Sequence, residues 1–221
     1  MRQQGRERNV VSRTLEDSLR WTAHGTKLLD AIVVDLSDRT LREPTDLPGW
    51  SRAHLVAHLN GNADALLNLV RWASSGVPTP MYASADARSA EIDRGSRLTA
   101  RELLQWFASS TTAFERACNA LSVEAWSREV VTAQGRTVPA TEIPWLRARE
   151  VMVHAVDLTA GRADAVGFGD LPPDFLAALA DDIMARRQLF AVPDRPQPEV
   201  VAWLAGRPHR LASAPELPAW L

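Results

Sequence analysis

The chain has 221 residues, one cysteine, five histidines and 25 basic against 27 acidic side chains, for a formal charge of −2. That length supports one large or two small domains with a core that needs no staples, and a single cysteine excludes an intramolecular disulfide, a CxxC redox pair and a thiolate-rich zinc site. The charges are interspersed, which argues against nucleic acid as a partner, and no apolar run approaches the roughly 20 residues that a membrane-spanning helix needs, so a cytoplasmic protein is expected.

Proline removes a backbone donor and clashes with the preceding helical turn, so the proline-free stretches 1–43, 49–77, 81–138 and 145–171 mark where long helices are permitted. The first helix is predicted from about Thr14 to Thr40, with Leu15, Leu19, Leu28, Leu29, Ile32 and Leu36 facing inward. The second follows the turn Leu47-Pro48-Gly49-Trp50, takes Ser51 as its N-cap and continues through Leu55, Leu59, Leu66, Leu69 and Trp72 to Gly76. A loop containing Pro78, Pro80 and Gly95 separates it from a third helix, about Thr99 to Leu121, which opens on a capping box of Thr99 and Glu102. Residues 127–141, SREVVTAQGRTVPAT, read as short extended pieces about Gln134-Gly135, and a fourth helix runs from about Trp145 to Ala160, ending near Gly161. Beyond Gly167 the predicted pieces are a helix near 173–187, a proline-rich link Pro193-Asp194-Arg195-Pro196-Gln197-Pro198 and a short helix near Glu199 to Ala205. The expected fold is mainly α, an antiparallel four-helix bundle over residues 1–165 with a small C-terminal domain, α+β or α, over 166–221.

Two pairs of potential metal ligands stand at i,i+4 spacing on predicted helices: His54 with His58 in HLVAHLN, and Glu150 with His154 in REVMVHAVDL. Residues four apart share a helix face, so each pair points one way, and neighbouring helices would bring imidazoles and a carboxylate together in the bundle. Two histidines and one glutamate are a known zinc set that leaves the fourth position open. A solvated face or a helix-stabilising contact is the alternative reading of either pair alone. Cys118 lies on the apolar side of the third helix and reads as a buried structural thiol. His24 reads as a surface or core-edge residue, His209 as a solvated one, Trp50 as a plug in the turn before the second helix, and Arg207, from composition alone, as a surface charge.

On HLVAHLN and REVMVHAVDL, the sequence resembles the mycothiol-dependent maleylpyruvate isomerase family, whose N-terminal bundle is of the DinB-like metal-binding type. LPGWSRAHLVAHLNGNADALLNLVRWA, TPMYASADARSAEIDRGS, VVTAQGRTVPATE and FGDLPP extend the resemblance over most of residues 45–185. It implies a zinc ion held by His58, Glu150 and His154, with His54 either a support behind the ligands or a bystander despite its spacing, and mycothiol as the thiol cofactor. The family's AGR motif appears here as Leu204-Ala205-Gly206-Arg207, which implies a catalytic role for Arg207. Asp157, three residues after His154, becomes a candidate to orient a ligand imidazole. The C-terminal region is expected to be shorter than the family's α+β domain.

The implied reaction is cis-trans isomerisation of maleylpyruvate to fumarylpyruvate in gentisate breakdown, by metal-assisted addition and elimination of a thiolate. The alternatives are a mycothiol S-transferase acting on electrophiles and a non-catalytic metal-binding module. A monomer with a small-molecule substrate, and no nucleic-acid or membrane partner, is expected.

Overall fold

Serine and threonine caps start five of the helices in a computed structural model that describes residues 13–193, 197–212 and 214–220. Helix α1 is Leu15–Val33, and it stops well short of the expected Thr40. Ser37 accepts a hydrogen bond from the Thr40 amide at 3.1 Å and starts a separate turn, α2 (Asp38–Leu41), so a local cap competes with continuation although Leu36 and Leu41 keep the apolar pattern buried. Helix α3 is Arg52–Ser75, capped by Ser51 as expected and ended by Gly76 in the left-handed region. Helix α5 is Ala100–Asn119, with Thr99 and Glu102 forming the reciprocal capping box. A short α6 (Val123–Trp126) leads into an antiparallel hairpin of β1 (Glu129–Val131) and β2 (Thr137–Pro139), then α7 (Ile143–Thr159). Only Glu150 and Val156 of α7 are not buried, so this helix lies at the centre of its unit.

The contacts fix the helix directions. Trp21 meets Trp145 with ring centroids 5.7 Å apart, and Gly25 lies so close to Val151 that a Cβ would sit 2.4 Å from its side chain, so α1 and α7 run the same way. The Asn60 amide donates to Leu103 O at 3.0 Å and the Trp106 indole to Asp64 at 2.7 Å, so α3 and α5 are parallel as well. The antiparallel relation expected of the bundle holds between α3 and α7: Arg52 Nε donates to Leu158 O at 2.9 Å, and Arg147 Nη1 to Leu59 O at 2.7 Å. Arg52 Nη2 also donates to Ala160 O at 2.9 Å, so the first turn of α3 satisfies carbonyls left unpaired at the end of α7.

Parallel α3 and α5 require the chain to return along most of α3 between them. The segment that makes this return was expected to be a loop, but it contains an eleven-residue helix, α4 (Ala85–Gly95), started by Ser84. Its sequence buries only Ile92 and Gly95, too few apolar residues to show a helical stripe. Gly95 is needed for the fit, because a Cβ there would stand 2.6 Å from the Cβ of Ala57.

The chain divides into two compact units, Leu15–Val166 and Gly167–Leu221, with Arg13 and Thr14 grouped with the second. The second holds α8 (Pro173–Arg187) and α9 (Gln197–Leu204), which pack on each other, and among its described residues no strand is present. Arg187 donates to Leu204 O at 3.0 Å and the Trp203 indole to Pro215 O at 2.7 Å, tying the final segment to the helix pair. Asp194–Pro196 of the proline-rich link lie outside the described residues. No helix among the described residues is long and apolar enough to cross a membrane.

Candidate metal centre

Because α3 and α7 are antiparallel neighbours, the inward faces of HLVAHLN and REVMVHAVDL meet. His58 Nε2 lies 2.9 Å from Glu150 Oε2, and His154 Nε2 lies 3.3 Å from the same oxygen. The two imidazole rings stand 5.2 Å apart and nearly perpendicular. One ligand atom from each of the three residues falls within 4.8 Å of the others, the only such cluster among the described residues. Atoms bound tetrahedrally to a zinc-sized ion stand roughly 3.3 Å apart, so the spacing suits a shared ion.

The proton positions follow from the neighbours. Buried Asp157 lies 2.8 Å from His154 Nδ1, so the carboxylate takes that N–H and leaves a lone pair on Nε2. His154 Nε2 is fully buried and has only the longer 3.3 Å contact with Glu150 Oε2 as a partner, so both atoms face the same point between the helices. Arg88, from α4, lies with Nη2 3.2 Å from His58 Nδ1. Guanidinium nitrogens only donate, so Nδ1 accepts and His58 turns its Nε2–H toward Glu150.

The charges agree with this arrangement at Glu150 and His58, whereas at His154 they favour a second proton on Nε2 that a bound cation would displace. Burial opposes the Glu150 carboxylate, but the two imidazoles outweigh it and hold the group well below the usual carboxylate range. Burial dominates at His58 and lowers its pKa, favouring the neutral ring. At His154 burial pulls the same way, yet pairing with Asp157 and Glu150 prevails and raises it. The set is therefore one anion and two nitrogens, a borderline-hard site fitted to a divalent ion such as zinc.

Residues outside the motifs form the walls. The Trp50 ring is tilted against His58 at 5.4 Å, so this tryptophan borders the site as well as the turn. Arg88 lies over the Tyr82 ring at 5.8 Å, and burial pushes the Tyr82 hydroxyl up to about 12, so it stays a phenol. Tyr82 and Arg88 both come from the TPMYASADARSAEIDRGS stretch, which read as a loop and gave no reason to link it to His58. Arg147 lies one turn before Glu150, fully buried, with Nη1 bonded to Leu59 O and to Asn62 Oδ1 at 2.9 Å, and burial lowers its pKa to about 10.

The remaining candidates have other partners. His54 Nδ1 accepts from the Ser51 backbone at 3.3 Å and lies 2.8 Å from its hydroxyl, so it completes the N-cap of α3. Cys118 is buried in apolar packing, which pushes its thiol up to about 12. His24 is exposed, and His209 accepts from the Leu211 amide at 3.1 Å. Arg207 belongs to the C-terminal unit and is buried, not a surface charge; its Nη1 donates to Ala205 O at 2.7 Å and Trp220 O at 2.9 Å.

Residues 22–159 match the family described as the mycothiol maleylpyruvate isomerase N-terminal domain. Among solved structures, the crystal structure of a mycothiol-dependent maleylpyruvate isomerase is similar over 94% of this chain and 98% of that one, at 35% identity and a TM-score of 0.84. A histidine-to-alanine mutant described in the same words is similar over the same shares, at 35% identity and a TM-score of 0.83. Curated protein sequences give no match. The chain belongs to the mycothiol maleylpyruvate isomerase family.

Proposed function

We propose that this member of the family isomerises maleylpyruvate to fumarylpyruvate in gentisate breakdown, with mycothiol as cofactor, zinc held by His58, Glu150 and His154, and Arg207 as a catalytic arginine. The observation that carries the reading is the buried convergence of His58 Nε2 and His154 Nε2 on one Glu150 oxygen, at 2.9 and 3.3 Å. A divalent ion in this singly negative set leaves one positive charge and an open position, and so would supply mycothiol as a thiolate whose reversible addition to the alkene makes the double bond transiently single.

The chain's own residues do the rest. Asp157 keeps the His154 proton on Nδ1 and fixes the ring plane. Glu150 stays ionised at neutral pH and is the most exposed of the three, with 12% of its side chain accessible against 6% for His58 and 1% for His154, so reactants approach from its side. Trp50 packs its ring against His58, and Tyr82 beside Arg88 stays an un-ionised phenol that adds no charge. Arg207 is assigned a substrate carboxylate and the negative charge that develops on the conjugated carbonyl, a task suited to a planar guanidinium. That assignment rests on the Leu204-Ala205-Gly206-Arg207 sequence. Zinc-loaded protein with mycothiol should convert maleylpyruvate and return the thiol unchanged. Full turnover without thiol, or accumulation of a stable thiol adduct, would contradict the reading.

A further inference from the structure

We propose that Arg88 is the carboxylate-binding cation of the metal centre, released from His58 when the ion binds and then free to receive one end of the diacid substrate. The inference rests on the functional reading above and adds a residue to it.

Its basis is a conflict between donors. In the structure Arg88 Nη2 sits 3.2 Å from His58 Nδ1, an arrangement that requires Nδ1 to accept. A neutral imidazole carries one N–H. When Nε2 gives its lone pair to a metal, that hydrogen must reside on Nδ1, where it would point at the guanidinium, a group with no acceptor. Arg88 therefore cannot support His58 in the way Asp157 supports His154, where a carboxylate takes the Nδ1–H. The two histidines of the triad have opposite partners, and only one of the two partners is compatible with ligation through Nε2.

A released Arg88 remains beside the ion. Its helix is held on α3 by the close approach of Gly95 to Ala57, and its guanidinium lies over the Tyr82 ring at 5.8 Å. Among the described residues it forms no ion pair with a carboxylate, whereas Arg52 pairs with Glu43, Arg162 with Asp164 and Arg186 with Asp182. A half-buried guanidinium next to a metal centre, without an acidic partner, presents a planar fork that matches a carboxylate. The proposed substrate carries two carboxylates, and Arg88 answers one of them.

Arg88→Met and Arg88→Lys test this with two readouts. Zinc affinity is measured by competition with a chromogenic chelator. Diacid affinity is measured by titrating maleate, a cis diacid lacking the keto group, into zinc-loaded protein, together with KM for maleylpyruvate. Arg88→Met should bind zinc as tightly as the parent or several-fold tighter, while maleate affinity and KM worsen about ten- to a hundredfold, and Arg88→Lys should recover part of the loss. A ten- to hundredfold loss of zinc affinity in Arg88→Met would make Arg88 a support for His58 and overturn the proposal, as would unchanged diacid affinity. Should Arg88→Met not fold, the charge-retaining Arg88→Lys must still show weakened maleate binding with zinc affinity intact. Zinc-loaded parent protein that neither binds maleate nor turns over maleylpyruvate refutes the functional reading itself, and that outcome is visible before any variant is made.

Discussion

Helices α3 and α7 pass through two environments. In the C-terminal half of α3, Leu66, Leu69, Val70 and Ala73 pack with Phe114, Cys118, Val130 and Ile143 in an entirely apolar cluster. In the N-terminal half the same pair of helices buries Arg52, His58, Asn60, Asn62, Arg147, His154 and Asp157. Burying polar groups is costly unless each finds a partner, and here the partners come mostly from the facing helix: Arg52 on the Leu158 and Ala160 carbonyls, Arg147 on Leu59 O and Asn62. The apolar half is specified by volume, the polar half by individual atoms. Stability should therefore reside chiefly in the first and chemistry in the second, so mutations in the two halves should separate melting temperature from metal binding.

The strongest separation is expected at Glu150. Glu150→Ala removes the only charged ligand and should reduce metal affinity beyond the ten- to hundredfold typical of outer partners, abolishing turnover, while calorimetry finds the metal-free protein still folded. In the opposite half, Phe114→Ala should cost about 3–5 kcal/mol in denaturant unfolding, yet the folded fraction should bind zinc normally. A large loss of zinc affinity in Phe114→Ala would break the division between the halves. Asp157→Asn should lower zinc affinity about ten- to a hundredfold, since an amide can turn its donor toward His154 Nδ1 and favour the wrong tautomer.

Acid sharpens the same division. Because the Glu150 carboxyl titrates well below its ordinary 4.5 in the folded state, its contribution is complete above that value and is lost as pH falls through the folded pKa. Glu150→Gln should flatten the acid limb of the metal-free stability profile, and an unchanged limb would show that the pairing with His58 and His154 is absent. The smallest effect is expected at Cys118. Its thiol, pushed up to about 12, should resist alkylation at neutral pH until the protein unfolds, and Cys118→Ser should cost about 1 kcal/mol with thiol-dependent activity intact.

The two halves were also unequally legible in the sequence. Caps at Ser51 and at Thr99 with Glu102, the hairpin about Gly135 and the extent of α7 follow from short-range chemistry, and the structure has them. Helix direction does not follow, because periodicity marks a face and not an orientation. The parallel course of α3 and α5, and with it the need for α4, is set by long-range packing. That is why Tyr82 and Arg88, carried to the site by the return segment, went unseen. Spacing alone ranked His54 and His58 equally; the difference is that His54 lies in the first turn of α3, where its Nδ1 completes the cap, while His58 lies one turn deeper, facing Glu150. The expected run of α1 to Thr40 failed because an apolar pattern continued across a break made by the Ser37 cap.

The central claim is that His58, Glu150 and His154 hold one divalent ion with a position open to a thiol. Cobalt(II) in place of zinc makes this visible in the absorption spectrum. Titrating mycothiol into the cobalt-loaded protein should produce a sulfur-to-cobalt charge-transfer band that saturates at about one thiol per ion and does not form with Glu150→Ala. Cobalt bound with no thiol-induced band, or an equally strong band in Glu150→Ala, would contradict the account.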